Sequence, residues 1–153
     1  MVKKYTQKAL DNYKKILVAE LKRQLNKPNS NLDKSIEGRK LSGRDGFGIY
    51  MNDYGINVNQ GRSAGELPNM YNLQDWVERN KTMLGIPNNP RSIRKAVFAI
   101  GTSIKQRGIK PTRFIDIVID KIEPRMTLDI QDAYFRDLNL ELDKTTKNAG
   151  SKN

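Results

Sequence analysis

The chain has 153 residues, the length of one domain with a genuine core. Its 28 Lys and Arg against 17 Asp and Glu give a net charge of +11, which points to nucleic acid, an anionic membrane surface or an acidic protein as partner. With neither cysteine nor histidine, it has no disulfide, no thiolate chemistry, no zinc site built on those ligands, and no imidazole to act as general base near neutral pH.

The charge is uneven. Residues 1–113 hold 22 Lys and Arg against nine Asp and Glu, whereas residues 114–153 hold six against eight. Such asymmetry suits head-to-tail contact between copies. The amino-terminal stretch MVKKYTQKALDN has no apolar run of the signal-peptide kind. No stretch approaches the roughly 18 apolar residues of a membrane span, so membrane spanning is not expected, and no membrane is counted among the expected partners.

Residues 4–26 read as a long helix. Tyr5, Ala9, Tyr13, Ile16, Leu17, Leu21 and Leu25 recur at three- and four-residue steps, and Pro28 follows the stop. Leu17 and Leu21 are expected to be buried on that stripe. Leu32 to Leu41 and the alternating Phe47, Ile49 and Met51 then suggest two strands, joined by the turn residues SGRDG. A helix is expected from about Asn72, as N-cap, to Lys81, with Leu73, Trp76 and Val77 inward. Another, Ser92 to Gln106, carries Ile93, Ala96, Val97, Ile100 and Ile104 inward and stops at Gly108.

The stretch TRFIDIVIDKIEP fits two periods. Phe114, Ile115, Val118, Ile119 and Ile122 suit a helix capped by Thr112 and ended by Pro124, while Ile115, Ile117 and Ile119 suit a strand. The helix is preferred, followed by a further helix through Tyr134. Leu138, Leu140 and Leu142 alternate with polar residues and suggest a last strand before a flexible tail, residues 145–153. The fold class is therefore α+β: a long N-terminal helix, a β-hairpin or small antiparallel sheet, packed helices and a C-terminal strand, in a single domain over residues 1–144.

The stretch GRSAGELP, residues 61–68, invites a phosphate-loop reading, but it lacks the Gly-Lys-Ser/Thr that places a lysine on phosphate and a hydroxyl on magnesium. Gly46 and Gly48 likewise have no lysine or helix behind them. A metal-dependent nuclease would need converging carboxylates. Asp116 and Asp120 with Lys121 are the best local set, and Asp45, Asp53, Glu66 and Asp75 would have to be gathered by the fold. Basic residues beside Tyr50, Tyr54 and Tyr71 could neutralise phosphates and stack on bases, yet no RRM, KH, zinc-finger or helix-turn-helix pattern is present.

The order of features carries more than any one motif. A basic N-terminal helix precedes NLDKSI, a glycine-rich hairpin, YGINVNQGRSAGELP, LQDWVERN and KAVFAIGTSIKQRGIKPTRF, in which Gly108, Pro111, Thr112 and Phe114 fall in that order. Over roughly residues 5–135 this resembles the tailed-phage neck or tail-completion proteins, which join the head connector to the tail. The connection KTMLGIPNNPRS and the end LNLEL depart from that pattern.

The resemblance implies a non-enzymatic α+β virion protein without cofactor or metal. It would assemble as a homo-oligomeric ring against other connector and tail proteins, with weak, salt-sensitive contact to genomic DNA. On that reading Gly61 and Gly65 permit turns, Pro68 stiffens the loop, and Trp76, Gly108 and Phe114 shape the fold. Residues 61–68 would be ordered chiefly by another protein, with Arg62 free to reach it. Arg91, Arg94, Lys95, Arg107 and Lys110 would face acidic surfaces of adjoining proteins. The alternative is a non-enzymatic DNA-binding protein of a phage or mobile element.

Overall fold

The computed structural model describes residues 3–150. It is α+β and about two-thirds helical: six helices and one two-stranded antiparallel sheet among the described residues. The order is α1 (Lys4–Leu25), α2 (Asn31–Ser35), β1 (Glu37–Lys40), β2 (Phe47–Tyr50), α3 (Tyr54–Gln60), α4 (Met70–Asn80), α5 (Pro90–Arg107) and α6 (Phe114–Gly150). A single domain was the expectation from sequence. By their contacts the described residues fall into two compact units, residues 56–112 forming one and the residues on either side forming the other, with the boundary inside α3.

In the flanking unit, α1 and α6 pair antiparallel. Tyr5 and Thr6 meet Asp137, Tyr13 meets Asp129, and Glu20 meets Lys121, so the register holds along the whole of α1. Tyr13, Leu21 and Leu25 are buried from α1, and Phe114, Val118, Ile122 and Ala133 from α6. Leu21 is thus in the core as expected, while Leu17 is only half-buried. The hairpin pairs Glu37 with Tyr50 and Lys40 with Phe47. It lies on α1, where Lys40 reaches Asp11 at 3.2 Å.

Three local expectations change here. Residues 31–35 form a helix turn rather than strand, because the Ser30 side chain accepts the Asp33 amide as an N-cap. Pro124 does not end its helix. An interior proline costs about 3 kcal/mol, whereas burying Phe114, Val118 and Ile122 is worth about 1.5–3 kcal/mol each, and Pro124 itself is exposed where water can replace the missing donor. The segment expected as a C-terminal strand is helix through Gly150, which also takes in residues 145–150 of the expected tail. Residues 151–153 of that tail lie outside the described residues. Leu138 and Leu142 are four apart, a helical step as well as an alternating one, and the described sheet offers no strand for them to join.

In the central unit, α4 and α5 pack through Leu73, Val77, Ile93 and Val97, with Met70, Ile86, Ala96 and Ile100 around them. The N-cap of α4 is Asn69, three residues before the expected one; its side chain accepts from the amides of Tyr71 and Asn72. Asn89 caps α5 in the same way, accepting from Ser92. Trp76 is not a core anchor. It lies about 100° round the helix from Val77 and is 37% exposed.

Candidate protein interface

Residues 61–68 are fastened within their own unit. Arg62 and Ile109 exchange backbone hydrogen bonds of 2.8 and 2.7 Å, and the Gly65 amide donates to the Lys105 carbonyl at 2.8 Å. The Thr112 amide and hydroxyl both donate to the Val58 carbonyl, so Thr112 ties down this crossing instead of capping α6. Gly61 and Gly108 both have φ of +71, and their backbones run against the opposite strand of the crossing. A Cβ at Gly108 would lie 2.1 Å from the Arg62 carbonyl oxygen, and one at Gly61 would lie 2.4 Å from that of Ile109. Only glycine fits either position.

This overturns the expectation of a loop waiting for another protein to order it. The Arg62 guanidinium is not free either: Nη2 donates to the carbonyls of Glu66 at 3.2 Å and Leu67 at 3.0 Å. Gly65 and Pro68 belong to the loop so closed, Pro68 being half-buried. The Gly108–Thr112 segment, part of the resemblance, is therefore the other half of the loop's fastening.

Beyond the loop, the unit is basic. Residues 56–112 hold nine Lys and Arg against three Asp and Glu, a net +6. Arg91, Arg94 and Lys95 are exposed within the first turns of α5, and none has an ion-pair partner among the described residues. Arg107 and Lys110 are exposed too, but Arg107 stands about 24 Å along the helix axis from Arg91 and Lys110 lies beyond the end of α5. The fold makes two basic patches from these five residues.

The first patch borders an open groove of about 450 Å³ on the α4–α5 surface, lined by Met70, Tyr71, Gln74, Arg94, Val97 and Phe98. Tyr71 is 76% and Phe98 69% exposed, so two aromatic side chains stand in solvent beside a guanidinium. Of these, Tyr71 and Arg94 were legible as candidates. The sequence also carries a signal for Phe98: with Ile93 and Val97 inward, the next residue must turn outward.

In the flanking unit, one polar group stands out. Asp137 is 1% exposed, and its carboxylate accepts the amides of Tyr5 at 2.9 Å and Thr6 at 2.8 Å. The first turn of α1 has no cap from its own Lys3 side, so a residue from the far end of the chain supplies one. Burial works to raise the Asp137 pKa, but the Thr6 and Tyr5 amides outweigh it and hold the carboxyl below its ordinary value. Glu20 is pulled down to about 2 by Arg23 first and Lys121 second. The Tyr13 hydroxyl donates to Asp129, which raises the phenol above its usual range.

The carboxylates weighed as metal ligands do not converge. Asp45 pairs with Lys3, Asp75 with Arg79, and Asp116 with Arg113. Among the described residues, no three Asp or Glu side chains are grouped to hold an ion. Among the described residues, no helix is long and apolar enough to cross a membrane. Tyr50 is occupied by the Arg39 guanidinium, 5.0 Å from its ring centre. Comparison with protein-family models, with curated proteins and with solved structures finds no match.

Proposed function

We propose that this chain is a structural, non-enzymatic protein of the tailed-phage neck or upper tail. Copies of it form a ring joining the portal or adaptor to the tail. The resemblance in the order of sequence features suggests the class. The observation that supports it best is the unpaired basic and aromatic face of α4 and α5, a surface suited to docking. In this reading the ring is built in the host cytoplasm and carried in the virion, and it works through protein contacts, without cofactor or metal.

Light scattering and negative-stain images of the purified full chain test this, alone and mixed with the portal and tail proteins encoded beside it. The expected result is a ring of defined copy number in one of those samples. A chain that stays monomeric in all of them contradicts it. The second reading, a DNA-binding protein, draws on Tyr71 and Phe98 beside Arg94, a set able to stack on bases. It predicts binding to one DNA sequence that persists at physiological salt, whereas the ring reading predicts only weak binding that salt removes.

A further inference from the structure

The back of α6 carries a second open apolar surface. Phe114, Val118, Ile122, Ala133 and Asp137 form the buried row facing α1. Roughly 135° round the same helix, at about 100° per residue, Ile117, Pro124, Leu128, Phe135 and Leu142 form an exposed row, with Phe135 59% in solvent. Leu128, Phe135 and Leu142 repeat at seven-residue steps, and Leu138 stands beside them. That is the anchor spacing of a helix that lies in a groove on another protein.

The charges on the two open surfaces are opposite. From Phe114 to Gly150, α6 holds eight Asp and Glu against five Lys and Arg. Asp132 and Asp143 are exposed beside the apolar row and have no ion-pair partner among the described residues. The groove between α4 and α5 is apolar along Met70, Tyr71, Val97 and Phe98, with Arg94 in its lining and Arg91 and Lys95 exposed within three residues of Arg94 on the same helix. Two copies joined α6 to α6 would set acid against acid. Joined α6 to groove, both the charges and the apolar rows match.

We infer that the occupant of the α4–α5 groove is the Leu128–Leu142 face of a second copy of this chain. The contact is heterologous, one patch of each copy meeting a different patch of the next, which is the arrangement that closes into a ring. Phe135 and the leucines on either side seat against Tyr71 and Phe98, while Asp132 and Asp143 meet the α5 cations. The inference rests on the ring reading and adds to it the surfaces through which neighbours touch.

Because the natural chain has no cysteine, disulfide trapping reads the contact without background. Phe98→Cys and Phe135→Cys are prepared as separate full-length proteins. Both sites are exposed, and circular dichroism checks that each variant keeps the native helix content. Under mild oxidation the mixture is expected to give the mixed disulfide dimer, and either variant alone to stay largely uncrosslinked. High salt during oxidation is expected to reduce the yield.

Dimers of the Phe135→Cys variant alone would overturn the inference in favour of α6 pairing with itself. A ring that forms without the mixed disulfide would overturn this contact and leave the ring reading standing. A chain monomeric at every concentration would overturn both. Protection of the thiol at position 98 from alkylation by a single-stranded oligonucleotide, with no mixed disulfide formed, would assign the groove to nucleic acid.

Discussion

The two units hold their helices together by different means. In the flanking unit, α1 and α6 are keyed by polar and charged groups at intervals along their length: Asp137 on the Tyr5 and Thr6 amides, Tyr13 on Asp129, Lys121 on Glu20. In the central unit, α4 and α5 meet through Leu73, Val77, Ile93 and Val97, and the closing segments are stapled by backbone hydrogen bonds. Long antiparallel helices with repetitive apolar rows can slip by one turn. Apolar burial is non-directional and does little to stop this, whereas a buried carboxylate capping one helix end fits in one register only. In the central unit the glycine crossing instead fixes residues 61–65 against the end of α5 and the segment that follows it.

The largest effect is expected in the core of the flanking unit. Phe114 is fully buried at the start of α6, and Phe114→Ala should destabilise the flanking unit by about 3–5 kcal/mol. Urea unfolding followed by the signal of the sole tryptophan, Trp76, in the central unit sharpens the comparison. If the units are independently held, helix content should fall at lower urea than the tryptophan signal; coincident transitions would show that they unfold together.

Gly108→Ala comes next. Its positive φ and the contact with the Arg62 carbonyl should cost at least about 1–3 kcal/mol, and amide exchange should rise at Arg62 and Ile109 first. A variant as stable as the parent would mean that the crossing is not a staple.

Acid should separate the units without mutation. The folded pKa of Glu20 lies below its unfolded value of 4.5, so its contribution is complete above that pH and fades as pH falls towards about 2. The same sign holds for Asp137, whose contribution is complete above 3.8 and is lost as pH falls further. The protection factors of the Tyr5 and Thr6 amides should therefore fall below pH 4 before Trp76 emission moves. Asp137→Asn should remove most of that pH dependence at the α1 terminus and lower the melting temperature at pH 7. The smallest effect is expected from Arg62→Ala, which deletes two exposed hydrogen bonds to carbonyls, roughly 0.5–1.5 kcal/mol.

Sequence periodicity made α1, the hairpin turn, α4 and α5 legible to within a few residues, because each buries one row against one neighbour. It misjudged α6, where a proline and alternating leucines imitate a stop and a strand. Neither local signal outweighs a row that runs from Phe114 to Asp137 against α1. Asp137 could have been noticed as an acid four residues after Ala133 on the core row, but its partners lie more than 130 residues away. Of the candidate interface residues, Arg91, Arg94 and Lys95 come together and Arg107 and Lys110 stand apart. Arg62 turns into its own loop, since hydrogen-bond partners for its guanidinium close in sequence were already at hand.

The most direct test of the central proposal is an electron cryomicroscopy map of the virion neck. Copies of this chain are expected in a closed ring, with Arg91, Arg94 and Lys95 against protein. Absence of the chain from the virion, or a ring in which these three side chains line the channel and contact the genome, would contradict it.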